Sequence, residues 1–178
     1  MQALSNRKIV LAKRPVGEPD ATCFRLETEP VPELEDGQIL LRNLWLSVDP
    51  YMRGRMSEGP SYAPPIKLGE LMIGGTVSEV LESRAPGYER GEIVTGYYGW
   101  QDYAIARPAD GRLYKVDRTL GPISTAVGVL GMPGHTAYFG LLRVGQPKPG
   151  ETVVVSAAAG AVGSAVGQIA KIHGCHVV

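Results

Sequence analysis

The sequence has 178 residues, of which 44% are hydrophobic and 20% are charged, and its 18 basic residues balance 18 acidic ones. This length provides the core of one domain, or of one domain and part of a second. The absence of a basic surplus argues against binding to nucleic acid or to an anionic membrane, since both depend on local positive charge.

The cysteine content and the absence of long apolar segments predict where the protein resides. The two cysteines, Cys23 and Cys175, lie far apart in the sequence, which argues against a disulfide framework and favours a reducing compartment. Residues 1–14 lack the apolar core of a signal peptide, and no run is long enough to span a membrane. We therefore expect a cytoplasmic protein that does not associate with membranes.

The first part of the chain consists of short apolar runs that are interrupted by Pro, Gly and Asp. This pattern is typical of β-strands joined by tight turns in a barrel or sandwich. The predicted strands are Lys8–Ala12, Thr22–Thr28, Gln38–Val48, Ile73–Leu81, Glu92–Tyr98 and Asp102–Arg107.

The pattern changes near residue 120, and we place a domain boundary there, between residues 1–120 and 121–178. Two helices are predicted next, a short one over Pro122–Val129 and a second over Thr136–Val144. The β-branched run Glu151–Ser156 is typical of a parallel strand that is buried on both faces.

A third helix is predicted up to His173, because apolar residues recur there with the helical period. Gly174 is well placed to end this helix, and a further strand begins at Cys175. The second domain thus holds one β-α-β unit, and we expect it to be incomplete.

A glycine-rich loop connects the strand to the third helix. It reads Ala158-Ala159-Gly160-Ala161-Val162-Gly163, which is G-x-G-x-x-G with alanine at the first glycine position. Small residues there permit a tight turn, close approach to a pyrophosphate, and close packing of helix on strand. The helix N-terminus adds free N–H groups and a partial positive charge. We therefore predict dinucleotide binding at Gly160, Ala161, Val162 and Gly163; the alternative is a small-residue turn without a ligand.

Several segments resemble one known superfamily. Gly131–Leu142, Gly150–Ser156 and Ala157–Gly163 are similar to the medium-chain dehydrogenases/reductases, and Asp49–Met56 is an independent match. Within that superfamily the chain resembles the branch of leukotriene B4 dehydrogenases, prostaglandin reductases, NADPH-dependent curcumin reductases and alkenal double-bond reductases. Members are about twice as long, so the resemblance covers their first half.

The resemblance implies an α/β protein with a GroES-like N-terminal β-barrel as the catalytic domain. The start of a Rossmann-type dinucleotide-binding domain follows it. Zinc-dependent members carry His and Glu where this chain has Leu71 and Met72. Neither side chain is among the Cys, His and carboxylate ligands that zinc prefers, so we expect no metal site.

The resemblance also implies roles for individual residues. Tyr51 would place its phenol where nicotinamide and substrate meet, or would pack as a turn aromatic. Thr136 would lie near the nicotinamide carboxamide, or would cap the helix that starts after it. Met132 would contact the cofactor or pack, and Arg53 would bind an anionic group or donate to loop carbonyls. Tyr97, Tyr98 and Trp100 form an aromatic group in the sequence that favours packing over substrate stacking.

The implied activity is NADPH-dependent reduction of the C=C bond in α,β-unsaturated ketones or aldehydes, with hydride transfer to the β-carbon. The alternatives are quinone reduction and a non-catalytic fragment. The residues leave NAD and NADP open, because the position that distinguishes them lies about 20 residues beyond the motif. The whole protein is expected to be a homodimer that acts on a small-molecule enone or enal. The 178-residue chain is expected to be inactive by itself.

Overall fold

The computed structural model describes residues 4–178. The chain divides into two compact units; the first ends at Asp117 and the second runs from Arg118 to Val178. The domain boundary predicted after residue 120 lies a few residues beyond this division.

The first unit is built mainly from β-strands. Their bounds are β1 Ser5–Leu11, β2 Phe24–Pro30, β3 Ile39–Leu46, β4 Thr76–Ser83, β5 Ile93–Gly96, β6 Tyr103–Ala106 and β7 Tyr114–Lys115. Strands β1 and β2 form an antiparallel hairpin, and the others form an antiparallel sheet in the order β6-β3-β4-β5-β7. Each predicted strand overlaps one of these, whereas β7 was not predicted.

Two isolated bridges tie the hairpin to segments that precede strands of the five-stranded sheet: Lys8 pairs with Gln101, before β6, and Val10 pairs with Leu71, before β4. The predicted barrel is therefore present as two joined sheets without a continuous closed ladder. Gly99 lies in the bend next to the first bridge, with φ of 73°. A Cβ at Gly99 would lie 2.5 Å from the Met72 carbonyl oxygen, so this bend accepts only glycine.

The core of the first unit consists of two clusters of buried side chains. One lies on the five-stranded sheet and comprises Ile39, Leu41, Val80, Val94, Ala104, Ala106 and Leu113. The other lies between the hairpin and a short helix, α1 (Tyr51–Arg55), and comprises Leu11, Cys23, Met56, Ile66 and Met72. Helix α1 was not predicted; it begins with the candidate residue Tyr51, and Met56 at its C-terminal end belongs to the second cluster.

The second unit begins with helical turns. The helix predicted over Pro122–Val129 is a 3₁₀ turn, Ile123–Val127. The next helix, α2, spans Met132–Tyr138 and continues as a π-helical segment, Phe139–Gly145. It starts before the predicted residue 136 because Pro133 fits the first turn of a helix, where its missing N–H is not needed.

A parallel β-α-β unit completes the second unit, as predicted. It consists of β8 (Thr152–Val153), α3 (Ala161–Ile172) and β9 (His176–Val177). Gly174 has φ of 77° and follows the helix, and the Cys175 N–H donates to the Ala170 carbonyl at 3.0 Å. This is the helix-ending geometry that glycine favours.

The prediction that residues 151–156 form a strand buried on both faces is wrong. Strand β8 has two residues, and Val154 is 77% exposed. Among the described residues β9 is the only strand paired with β8, so one edge of β8 is uncovered. Within residues 4–178 no helix has the length and apolar character that crossing a membrane requires.

Candidate functional site

One carbonyl group shapes the loop between β8 and α3. Ala157 has a left-handed backbone with φ of 51°, and its carbonyl oxygen accepts the Gly160 N–H at 2.9 Å. A Cβ at Gly163 would overlap this oxygen and would lie 3.0 Å from the Ala157 carbonyl carbon. A Cβ at Gly160 would lie 3.2 Å from the same oxygen. The loop packs on itself at both glycines, and far more tightly at Gly163.

The start of α3 presents free hydrogen-bond donors. Gly160 is the N-cap, with φ of −74° and ψ of 166°, and no side chain caps the helix. The N–H groups of Ala161, Val162 and Gly163 therefore have no partner within the helix. Residues 156–161 are exposed to solvent. Residues 157–161 are only alanine and glycine, and the N–H donors lie at a helix N-terminus, so the loop fits the pyrophosphate of a dinucleotide.

Met132 and Thr136 both lie on α2, which belongs to the second unit and packs against α3. The Thr136 hydroxyl donates to the Met132 carbonyl oxygen at 2.8 Å, and both residues are exposed. The alternative role of Thr136 as a helix N-cap is wrong, because Gly131 is the N-cap of α2 and Thr136 lies inside the helix. Tyr51 belongs to the first unit, whereas the other predicted site residues belong to the second.

Tyr51 is the first residue of α1, and its hydroxyl group is buried. The hydroxyl oxygen has no hydrogen-bond partner among the described residues. Burial, helped by the negative charge of Asp49 and by Tyr97, raises the pKa of Tyr51 to about 12. The phenol is therefore protonated at neutral pH and can donate a hydrogen bond. Because buried polar groups usually have partners, the Tyr51 hydroxyl is a candidate donor to a bound molecule.

Two arginines fix the neighbourhood of Tyr51. The Arg53 guanidinium donates to the Gly17 carbonyl oxygen at 2.9 and 3.1 Å, which agrees with the second of its two expected roles, donation to loop carbonyls. The Arg55 guanidinium donates to the Pro64 carbonyl oxygen at 2.6 Å. Both arginines thus anchor loops to α1.

The predicted aromatic group is divided in the structure. Tyr98 packs on the cluster that contains Ile39, and Trp100 stacks on Phe24 with ring centroids 5.7 Å apart. Tyr97, by contrast, is 65% exposed. Tyr98 and Trp100 therefore pack, as favoured from the sequence. The Trp100 Nε1, like the Tyr51 hydroxyl, is buried without a hydrogen-bond partner among the described residues.

Tyr62 is a neighbour of Tyr51 that the sequence did not indicate. It is 81% exposed, and like Tyr97 it lies close enough to contribute to the raised pKa of Tyr51. Tyr62 lies in a loop without periodicity, and nothing in the sequence distinguishes it from the other tyrosines. Tyr62 and Tyr97, from separate parts of the chain, thus both lie in the neighbourhood of Tyr51.

The positions that correspond to zinc ligands are apolar in the fold as well. Met72 is 1% exposed within the cluster that contains Leu11 and Met56, and Leu71 pairs with Val10. Within the described part of the chain, no group of three or more His, Cys, Asp or Glu residues could hold a metal ion. The absence of zinc remains a prediction.

Comparison with known proteins agrees with this architecture. A family profile described as the N-terminal domain of oxidoreductase matches residues 7–115. The chain is 56% identical to NADPH-dependent curcumin reductase of Escherichia coli (strain K12), over 99% of this chain and 51% of that protein. It is 42% identical to the 2-alkenal reductase (NADP(+)-dependent) of Nicotiana tabacum, over 99% of this chain and 52% of that protein.

A solved structure is similar along the same length. CurA from Vibrio vulnificus, in complex with NADPH, has a TM-score of 0.89 and 53% identity, over 96% of this chain and 50% of that protein. The chain thus spans about half the length of the relatives it matches. Because the profile covers most of the chain, the sequence belongs to the oxidoreductase family that this N-terminal domain defines, and its predicted place among the medium-chain dehydrogenases/reductases is confirmed.

Proposed function

We propose that the whole protein reduces the C=C bond of α,β-unsaturated ketones or aldehydes with NADPH. The buried, unpartnered hydroxyl of Tyr51 is the observation that carries this proposal, because it offers a donor for a substrate carbonyl. The names of the similar curcumin reductase and 2-alkenal reductase support the substrate class and the cofactor.

The second unit supplies the groups that would hold the cofactor. The N–H groups of Ala161, Val162 and Gly163 would bind the pyrophosphate, and the lack of a Cβ at Gly160 would leave room for it. Thr136 and Met132 are proposed to lie beside the nicotinamide. When bound, NADPH supplies the hydride that the β-carbon of the substrate accepts.

Tyr51 would act on the other end of the conjugated system. As hydride reaches the β-carbon, negative charge develops on the carbonyl oxygen, and a preorganised donor there stabilises the transition state. With its pKa near 12 the phenol keeps its proton and serves as that donor. The proton that the α-carbon receives would come from solvent or from a nearby hydroxyl.

Three further properties belong to this proposal. The whole protein would be a homodimer, would prefer NADPH to NADH, and would reside in the cytoplasm. The dimer and the cofactor preference rest on the resemblance to the branch. The location is supported by Cys23 and Cys175, which are free thiols, each buried within its own unit.

The test is NADPH oxidation by the whole protein with an enone, an enal and a quinone as alternative substrates. Tyr51→Phe removes one hydroxyl and should lower kcat/KM for the enone by more than about tenfold, with the Kd for NADPH unchanged. Tyr114→Phe is the matched control, since Tyr114 is exposed and its hydroxyl bonds to the nearby Gly111 carbonyl. A change within about twofold for Tyr51→Phe, about 0.4 kcal/mol, would make Tyr51 a packing residue. Turnover of the quinone alone would identify a quinone reductase instead.

A further inference from the structure

Helix α1 cannot determine its own orientation. It has five residues, and its N-cap Pro50 provides no side-chain hydrogen bond. A helix this short is unstable by itself, so its tertiary contacts must hold it. Met52 and Met56, four positions apart, are buried on one face. Methionine is flexible and adapts to its surroundings, so these two side chains select the buried face but leave rotation about the helix axis loosely defined.

The Arg53 guanidinium restrains that rotation. It lies beside the methionine face, about 100° further around the helix from Met52. Its Nε and Nη2 donate to the Gly17 carbonyl oxygen at 3.1 and 2.9 Å, and its Nη1 donates to the Ser57 hydroxyl at 2.6 Å. Gly17 has φ of 76°, a conformation that glycine adopts without strain.

A second arginine, on the turn rather than on the helix, also connects the turn to α1. Arg14, from the chain just before this turn, donates to the Met56 carbonyl oxygen at 2.9 Å and pairs with Glu58 at 2.9 Å. The turn around residues 14–17 and the end of α1 therefore hold each other through two arginines.

We propose that Arg53 is a positioning residue for Tyr51. By fixing the rotation of α1 against the turn at Gly17, it holds the Tyr51 phenol where a substrate carbonyl oxygen can accept its hydrogen bond. The guanidinium has donors bound to protein groups on two sides, so it acts through the helix rather than on the substrate. Lysine cannot replace it, because one ammonium group lacks the planar fork that reaches Gly17 and Ser57 together. This inference rests on the proposed function of Tyr51.

The first test reads the position of Tyr51 without cofactor or substrate. The protein is labelled with 3-fluorotyrosine, and the fluorine resonance that Tyr51→Phe removes is assigned to Tyr51. We expect Arg53→Gln and Arg53→Lys to shift or broaden this resonance while that of Tyr103, on β6, is unchanged. Arg42→Gln, which removes an exposed ion pair with Glu79 on the sheet, is the matched control and should leave the Tyr51 resonance in place. An unchanged Tyr51 resonance in both Arg53 variants would overturn the proposal.

The second test is a double-mutant cycle on enone kcat/KM in the whole protein. Arg53→Gln should lower kcat/KM by about 10- to 100-fold, the loss that a displacement of about 1 Å produces. In the Tyr51→Phe background the same substitution should change kcat/KM by less than about twofold, because the hydroxyl that it positions is already absent. Losses that multiply in the double variant would refute the inference while leaving the role of Tyr51 intact. If Tyr51→Phe alone has no effect, the proposed function of Tyr51 fails, and the positioning role fails with it.

Discussion

Alanine substitution at Gly160 and at Gly163 should separate cofactor contact from packing within the same loop. At Gly163 a Cβ would overlap the Ala157 carbonyl oxygen and would lie 3.0 Å from two further backbone atoms. Backbone atoms cannot rotate away as a side chain can, so Gly163→Ala must displace the loop from the helix. At Gly160 the nearest atom is the same oxygen at 3.2 Å, which a shift of a few tenths of an ångström relieves.

The expected magnitudes follow from these distances. Overpacking of this kind costs about 1–3 kcal/mol, and we expect Gly163→Ala to lower the local free energy of unfolding by that amount. Gly160 has φ of −74° and ψ of 166°, which alanine adopts freely. Gly160→Ala should therefore change stability by less than about 1 kcal/mol, because the lower entropy of the unfolded chain offsets the poorer N-cap preference of alanine. Its methyl group would instead meet the pyrophosphate, and the Kd for NADPH should rise about tenfold or more, equivalent to 1.4 kcal/mol.

Two measurements distinguish the variants. Both tryptophans, Trp45 and Trp100, lie in the first unit, so a probe within the second unit is needed. Hydrogen exchange of α3 amides is such a probe, and Gly163→Ala should accelerate it about 5- to 150-fold, with Gly160→Ala close to the wild type. Gly140→Ala is the steric control, since nothing lies within 4 Å of the added Cβ. Normal exchange in Gly163→Ala, or an unchanged NADPH Kd in Gly160→Ala of the whole protein, would refute the respective half of this reasoning.

Four other outcomes are expected. Elemental analysis of the dialysed protein should find no stoichiometric zinc, because Leu71 and Met72 occupy the ligand positions; bound zinc at one per chain would contradict this. The whole protein should have a kcat/KM for NADPH well above that for NADH, and equal values would count against the branch assignment. Ala157→Gly should raise the local stability of the loop by up to about 1 kcal/mol, seen as slower exchange in α3, because it relieves a left-handed alanine. Burial raises the pKa of Tyr51 and of Tyr98 to about 12. The phenols of the unfolded chain ionise first, so the free energy of unfolding should fall as the pH rises from about 10 to 12. A constant free energy of unfolding across that window would refute the burial of these hydroxyls.

The repetitive parts of the fold could be predicted from the sequence because their patterns are local. Strand β3 and its neighbours appear as apolar runs bounded by turn residues, and their predicted ends differ from the observed ones by a few residues. The β-α-β unit was predicted from the helical period and from Gly174, whose positive φ ends α3 as expected. The glycine loop at Gly160 was predicted from its spacing. The roles of these glycines in ligand binding remain predictions.

The parts that escaped prediction depend either on tertiary contacts or on local signals that conflict with one another. Helix α1 is too short to show a period, and the distant Gly17 and Pro64 hold its arginines. The start of α2 was misplaced because Thr136 resembles an N-cap, whereas the helix begins at Met132 with Pro133 in its first turn. Val154 is β-branched, as a buried strand residue would be, but its exposure depends on which strands lie beside it. Sequence pattern thus identifies elements better than it identifies their ends or neighbours.

The position of the left-handed residue in the loop explains why alanine is tolerated at residue 158, the first glycine position of the motif. In the motif the first glycine serves the tight turn after the strand. Among residues 4–178 only Gln146 and Ala157 combine a side chain with a positive φ, so the left-handed residue of this loop is Ala157 and not Ala158. An alanine at position 158 therefore costs no backbone strain, and the cost of about 1 kcal/mol falls on Ala157 one residue earlier. The same conformation turns the Ala157 carbonyl oxygen towards Gly160 and Gly163, and a Cβ would overlap it only at Gly163. Glycine is therefore required by packing at position 163, whereas at position 160 its proposed role is to leave room for the pyrophosphate.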